Sequence, residues 1–189
     1  DGPPSGSPQT FVATSPDVPV VIPDNSPTGV DSSITVGPSF NIGKVTVFVD
    51  ITHTFIGDLK IKLTHGATSV TLFSQQCGTQ EDLTATFDDA GPLVQACTYP
   101  QGTIRPATFG GGSLAAFDGL DSAGVWTLNV SDNANLDTGN LVAWSVILDP
   151  AMEWTVDTRT FATKGKNTPL QGTSLTGGVR AVIMGGVVA

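Results

Sequence analysis

Residues 44–52 read KVTVFVDIT, with Val45, Val47, Val49 and Ile51 alternating against Thr46, Asp50 and Thr52. A period of two sustained over nine residues predicts a half-buried β-strand. Residues 58–64, DLKIKLT, repeat the pattern, with Leu59, Ile61 and Leu63 turned inward and Lys60 and Lys62 placing their charges in water. Gly57 marks a tight corner between the two, which are expected to be consecutive members of one antiparallel sheet. Further on, Trp126, Leu128 and Val130 alternate with Thr127, Asn129 and Ser131. A polar turn over 132–140 then leads into LVAWSVILD, where Val142, Trp144, Val146 and Leu148 form one face. Strands carrying tryptophan on their inner faces predict a β-sandwich with an aromatic-rich core.

The ends of the chain differ from this middle. Residues 1–17, DGPPSGSPQTFVATSPD, are rich in Pro, Gly and Ser and read as a flexible arm or linker, within which residues 10–13 can add a short strand to a neighbouring sheet. Residues 154–161 and 179–189 both read as strands. The second is apolar, β-prone and nearly uncharged, an aggregation hazard unless it pairs with its own domain or with another subunit. The start of the chain has neither a charged n-region nor an apolar h-region, so it reads as a mature chain beginning at Asp1.

With 22 Gly and 13 Pro in 189 residues, short strands joined by many turns are expected, and no window sustains helical periodicity or reaches the apolar length of a membrane span. Eight basic against 17 acidic residues give a formal charge of −9, which repels phosphate backbones and excludes nucleic acid as the expected partner. The same excess suits an oxygen-ligand cation such as calcium, or serves solubility alone. Cys77 and Cys97 are the two cysteines. A single even pair in such a chain is most simply one disulfide in an oxidising, extracellular compartment, where it would close a loop of about 20 residues and add on the order of 3 kcal/mol; two free thiols in a cytosolic protein are the other reading.

Four blocks stand in order: VPVVIPDNSPTGVDSSITV, HTFIGDLKIKLTHG, TATFDDAG and LAAFDGLDSAGVWTLNVSDNANLDTGNLVAWSVIL. Together, over 18–149, they resemble the P-domain (P/Homo B domain) that follows the catalytic domain of subtilisin-like proprotein convertases and occurs in many secreted bacterial proteins. The resemblance implies an all-β, jelly-roll-like antiparallel sandwich, here with additional terminal strands over 150–189. It also implies a secreted or cell-surface location and a domain that is not itself catalytic. Relative to the family pattern, 90–112 reads as an insertion carrying Cys97, Tyr99, Arg105 and a run of glycines.

Three strings invite a protease reading: Asp137-Thr138-Gly139, His65-Gly66 and Gly172-Thr173-Ser174. Their order, His, Asp, Ser, is not the subtilase order, and one Asp-Thr-Gly cannot make an aspartic dyad, so no catalytic residues are expected. His53 ends a strand, and its ring is expected to hydrogen-bond across the following corner. Calcium needs six to eight oxygens. The carboxylates placed to contribute are Asp58, the adjacent pair Asp88 and Asp89, Asp118 and Asp132, with Asp121 and Asn133 near them in sequence. The adjacent pair is the sharpest of these signals, since mutual repulsion favours a bound cation, and P-domains of secreted bacterial proteins are often calcium-bearing.

Three functions compete. In the first, the chain is a structural subunit whose terminal strands dock onto copies of itself, giving an extracellular filament or surface layer. In the second, it is the accessory module of a subtilisin-like or other secreted protease and packs on the catalytic domain. The third makes it an adhesin that binds through the 90–112 loop and Tyr99.

Overall fold

A computed structural model describes residues 9–91, 101–155, 172–176, 183–184 and 187–188. The alternating segments form strands in chain order: β1 (Phe11–Thr14), β2 (Val20–Ile22), β3 (Ser26–Val36), β4 (Ile42–His53), β5 (Leu59–His65), β6 (Thr68–Ser74), β7 (Leu83–Phe87), β8 (Gln101–Ile104), β9 (Gly124–Asp132) and β10 (Gly139–Pro150). They make two sheets. The larger has the order β1-β10-β4-β7-β8, with β2 also on β10, and the smaller has the order β3-β9-β5-β6. Pairing is antiparallel except between β7 and β8.

The valines of β4 behave as their period requires: Val45, Val47, Val49 and Ile51 are all buried. Trp126 from β9 and Trp144 from β10 enter the core from opposite sheets and are fully buried, together with Phe73, Phe87 and Phe117. Each such buried side chain contributes on the order of 1.5–3 kcal/mol relative to exposure, and Phe117 packs on Trp126 with ring centroids 5.2 Å apart.

Two expectations are corrected. β4 and β5 are consecutive in sequence but lie in different sheets, because β4 pairs with β10 and β7 while β5 pairs with β9 and β6. The corner between them is a 3-10 turn, Ile56–Asp58, whose backbone is satisfied from outside any hairpin: Ile56 N–H donates to Gln80 O at 2.9 Å, and Asn133 N–H donates to Asp58 O at 3.0 Å. The second concerns β10, where a bulge between Leu141 and Ala143 shifts the alternation, so that Leu141 is buried and Val142 is only half-buried.

The amino-terminal segment, expected as a flexible arm, contributes β1 to its own sheet, with Phe11 opposite Leu148 and Thr14 opposite Ser145. β1 and β2 share one edge of β10. Between them the chain dips toward the core: Ser15 N–H donates to Trp144 O at 3.0 Å, and the Ser15 hydroxyl lies 2.8 Å from that of Ser32. Trp144 Nε1–H donates to Ser32 Oγ at 2.6 Å, while Asp17 accepts from both serine hydroxyls and from Ser33 N–H. Partial burial opposes ionisation of Asp17, but these donors outweigh it and hold its carboxyl below the usual range.

Residues 151–189 form a separate unit. In it β11 (Glu153–Thr155) pairs with β12 (Ser174–Thr176), and β13 (Ile183–Met184) pairs with β14 (Val187–Val188), both antiparallel. The apolar terminal run thus pairs, where it is described, with itself. Residues 156–161, expected to continue a strand, lie outside the described residues. Among the described residues, no helix is long and apolar enough to cross a membrane.

Candidate functional site

The corner after β4 brings together the first group of predicted residues. His53 ends β4 in one sheet and Asp132 ends β9 in the other, and their side chains, both fully buried, meet with His53 Nε2 3.3 Å from Asp132 Oδ2. The other nitrogen, Nδ1, stands 3.0 Å from Phe55 O and 3.2 Å from Phe55 N, so the ring reaches across the corner as expected. Asp132 Oδ1 also accepts from Ala134 N–H at 3.1 Å. With both oxygens occupied from within the protein, Asp132 acts as a tie between the sheets.

Asp58 lies beside this tie. Burial, then the charges of Asp132 and Asp137, push its carboxyl above the usual range, with His53 acting in the opposite direction. Asn133 closes the corner by donating its amide to Asp58 O at 2.9 Å. Asp137 accepts from the Thr54 hydroxyl at 2.7 Å.

The second group lies after β7. Asp88 is held by Lys44 Nζ at 2.7 Å and by Ala90 N–H at 2.8 Å. Burial works against its charge, but Lys44 and Ala90 outweigh that and lower its pKa. Asp89 turns the other way and caps a 3-10 turn, Leu114–Phe117, accepting from the Ser113 hydroxyl at 2.6 Å and from Ala115 N–H at 3.0 Å. Asp118, at the end of that turn, has its pKa raised by burial and then by the charge of Asp89. Asp121 has its pKa lowered, first by the N–H of Ala123 and then by Ser39.

The five carboxylates proposed for calcium therefore fall into two groups, Asp58 with Asp132 and Asp88 with Asp89 and Asp118. Among the described residues, no three of His, Cys, Asp or Glu gather in a way that would hold a metal ion. Asp88 and Asp132 are neutralised or bonded by Lys44 and His53, so the set as a whole does not fit a calcium cage. Asp89 and Asp118 keep the chemistry of such a site, two carboxylates repelling each other, but not its ligand number.

The residues of the protease-like strings are placed elsewhere. His65 stacks on Trp126 with ring centroids 4.1 Å apart, and its two nitrogens face Val125 O at 3.0 Å and Asp121 O at 2.7 Å. Neither nitrogen is left to serve a nucleophile. Ser174 belongs to the separate carboxy-terminal unit. Cys77 is half-buried and packs at the margin of the core, and no described cysteine is free. Cys97 and Tyr99 lie outside the described residues. Sequence reasoning missed Asp17 and Ser32, whose only signal was a carboxylate and hydroxyls in segments that read as linker and as strand.

The calcium-dependent proteases of Trichormus variabilis and of a Nostoc species are each 28% identical to the chain over 120 residues, covering 61% of it. The chain spans 15% of the length of those relatives. Among solved structures, the serine protease of Aeromonas sobria in complex with its chaperone gives a TM-score of 0.49 at 19% identity, over 75% of this chain and 27% of that one. The A. sobria serine protease by itself gives 0.48 at 16% identity, over 78% and 28%. The family model of the proprotein convertase P-domain matches residues 42–148, from the first residue of β4 to Leu148 in β10. That span is more than half of the sequence, and the chain belongs to the proprotein convertase P-domain family.

Proposed function

We propose that this chain is a secreted, non-catalytic accessory module of a protease, which packs on a catalytic domain and stabilises it. The observation that carries this reading is the family membership over 42–148, joined to relatives that are named proteases and are several times longer than this chain. The placement of both histidines supports it, since His53 is sealed against Asp132 and His65 is engaged by two carbonyl oxygens. A disulfide between Cys77 and Cys97 belongs to the same reading, which places the module in an oxidising compartment. Calcium, which the relatives' names carry, belongs to the same reading only with most of its six to eight oxygens supplied by backbone carbonyls or water, Asp89 and Asp118 offering two carboxylates that repel each other.

Self-assembly into a filament is the second reading, favoured by the apolar run over 179–189. It now rests on that run alone, because β1 is already paired with β10 of its own chain. Mass-resolved size analysis of the full chain and of a form truncated after Pro150 separates the two. The accessory reading expects monomers from both, with no labelling of either by a fluorophosphonate probe of serine hydrolases. Polymers from the full chain alone would move the conclusion to assembly, and labelling would overturn the non-catalytic reading.

A further inference from the structure

The outer face of the smaller sheet is a registered grid of short polar side chains. Ser33, Thr127, Thr64 and Ser69 stand in one row across β3, β9, β5 and β6. Their hydroxyls are coupled in pairs, Ser33 to Thr127 at 3.2 Å and Thr64 to Ser69 at 2.8 Å. In the next row Asn129 lies beside Lys62, and one row further Lys60 is in register with Ser131, which is buried. Beyond the first row, toward the β5–β6 turn, a groove of about 620 Å³ opens between that turn and the segment from Leu120 to Val125, with Thr64 and Thr127 in its lining.

Lys60 and Lys62 are both exposed and point to the same side of β5, so their stems are about 7 Å apart. Among the described residues neither joins an ion pair, whereas Lys44 is bound to Asp88. Two uncompensated cations side by side, in a chain of formal charge −9, call for an anionic ligand. The rest of the face narrows its class. Protein interfaces concentrate aromatic residues, Met and Arg at their centres and are depleted in Lys and Ser. This face has the opposite composition, and its rows of hydroxyls and an amide match a ligand that is itself rich in hydroxyls.

We infer that the outer face of the smaller sheet binds an extended acidic polysaccharide, one bearing uronate carboxylates, laid along β5 and β9. Its carboxylates meet Lys60 and Lys62, and its hydroxyls exchange hydrogen bonds with the hydroxyls of Ser33, Thr64 and Thr127 and donate to the Asn129 amide oxygen, since the amide nitrogen is already spent on Thr28 O and Asp31. The acidic balance of the whole chain does not forbid this. Charges more than about 8 Å away are largely screened at physiological salt, and Asp31, in register with Asn129 on this sheet, is held by the Asn129 amide at 2.7 Å. With no aromatic platform, binding rests on charge and hydrogen bonds and is therefore salt-sensitive.

The test is affinity electrophoresis and solution titration of the full chain with polygalacturonate, with neutral dextran and poly-L-glutamate run alongside. The wild type is expected to be retarded by polygalacturonate at low salt, to be released at 0.5 M salt (roughly a 4 Å screening length), and to ignore dextran. K60Q/K62Q, checked for an unchanged melting transition, is expected to bind at least tenfold more weakly, and Lys44→Gln to bind as the wild type does. Absence of retardation, or equal retardation of wild type and K60Q/K62Q, overturns the inference. Equal binding of poly-L-glutamate overturns the polysaccharide assignment and makes the face a site for acidic polypeptide.

Discussion

His53 and Asp132 join the two sheets by a contact of 3.3 Å between fully buried side chains that are 79 residues apart in sequence. Removing one partner leaves the other desolvated and uncompensated, the costly way to break such a pair. Asp132→Ala is therefore expected to destabilise the sandwich by about 3 kcal/mol, and His53→Ala by a similar amount. The double variant should lose less than the sum of the two, which urea denaturation in a double-mutant cycle would measure.

The Asp17 network should be felt at acid pH. Its folded-state pKa lies below the unfolded value, so its contribution is fully present above the ordinary Asp range, near 3.9, and disappears as pH falls through the depressed value. Asp17→Asn is expected to be less stable than the wild type at pH 7, and the gap should narrow as pH falls below the ordinary Asp range, as followed by urea midpoints from neutral to acid pH.

Asp118 carries the opposite sign. Burial and Asp89 raise its folded-state pKa, so the folded state gains relative to the unfolded one at low pH and loses that gain as pH rises through the raised value. Asp118→Asn should melt higher than the wild type at pH 7, with the advantage vanishing below the carboxylate range. Calcium should raise the melting temperature of the wild type and leave that of Asp118→Asn unchanged. Equal calcium responses would remove the assignment to this pair.

Gly139 begins β10 where the chain passes closest to the end of β4. A Cβ there would lie 2.0 Å from Thr52 O and 2.6 Å from His53 Cδ2. The obstacle is backbone that cannot step aside, so Gly139→Ala is expected to cost about 3 kcal/mol by overpacking, and to disturb the His53 ring signals in an NMR spectrum.

How much of this was legible in the sequence follows from what each signal encodes. A period of two reports which side of a strand is buried, and it placed Val45 to Ile51, Trp126 and Trp144 correctly in the core. It does not report the partner strand. The chain therefore crosses between sheets at Ile56–Asp58, where continuity alone implied a neighbour in the same sheet. The bulge beside Val142 was hidden for the same reason, since an inserted residue leaves both neighbours apolar. Acidic residues could be counted but not paired: Lys44 is 44 residues from Asp88 in sequence, and nothing local to either marks the contact. His53 was read correctly as far as its own corner, because Phe55 is two residues away, while its more distant partner was not.

The pairing of β1 with the far end of β10 has an architectural consequence. Phe11 faces Leu148, and the Thr10 hydroxyl reaches Asp149, so the chain enters and leaves the sandwich at neighbouring points on one edge. A fold with adjacent entry and exit behaves as a pendant cassette, able to hang from a longer polypeptide without stretching it.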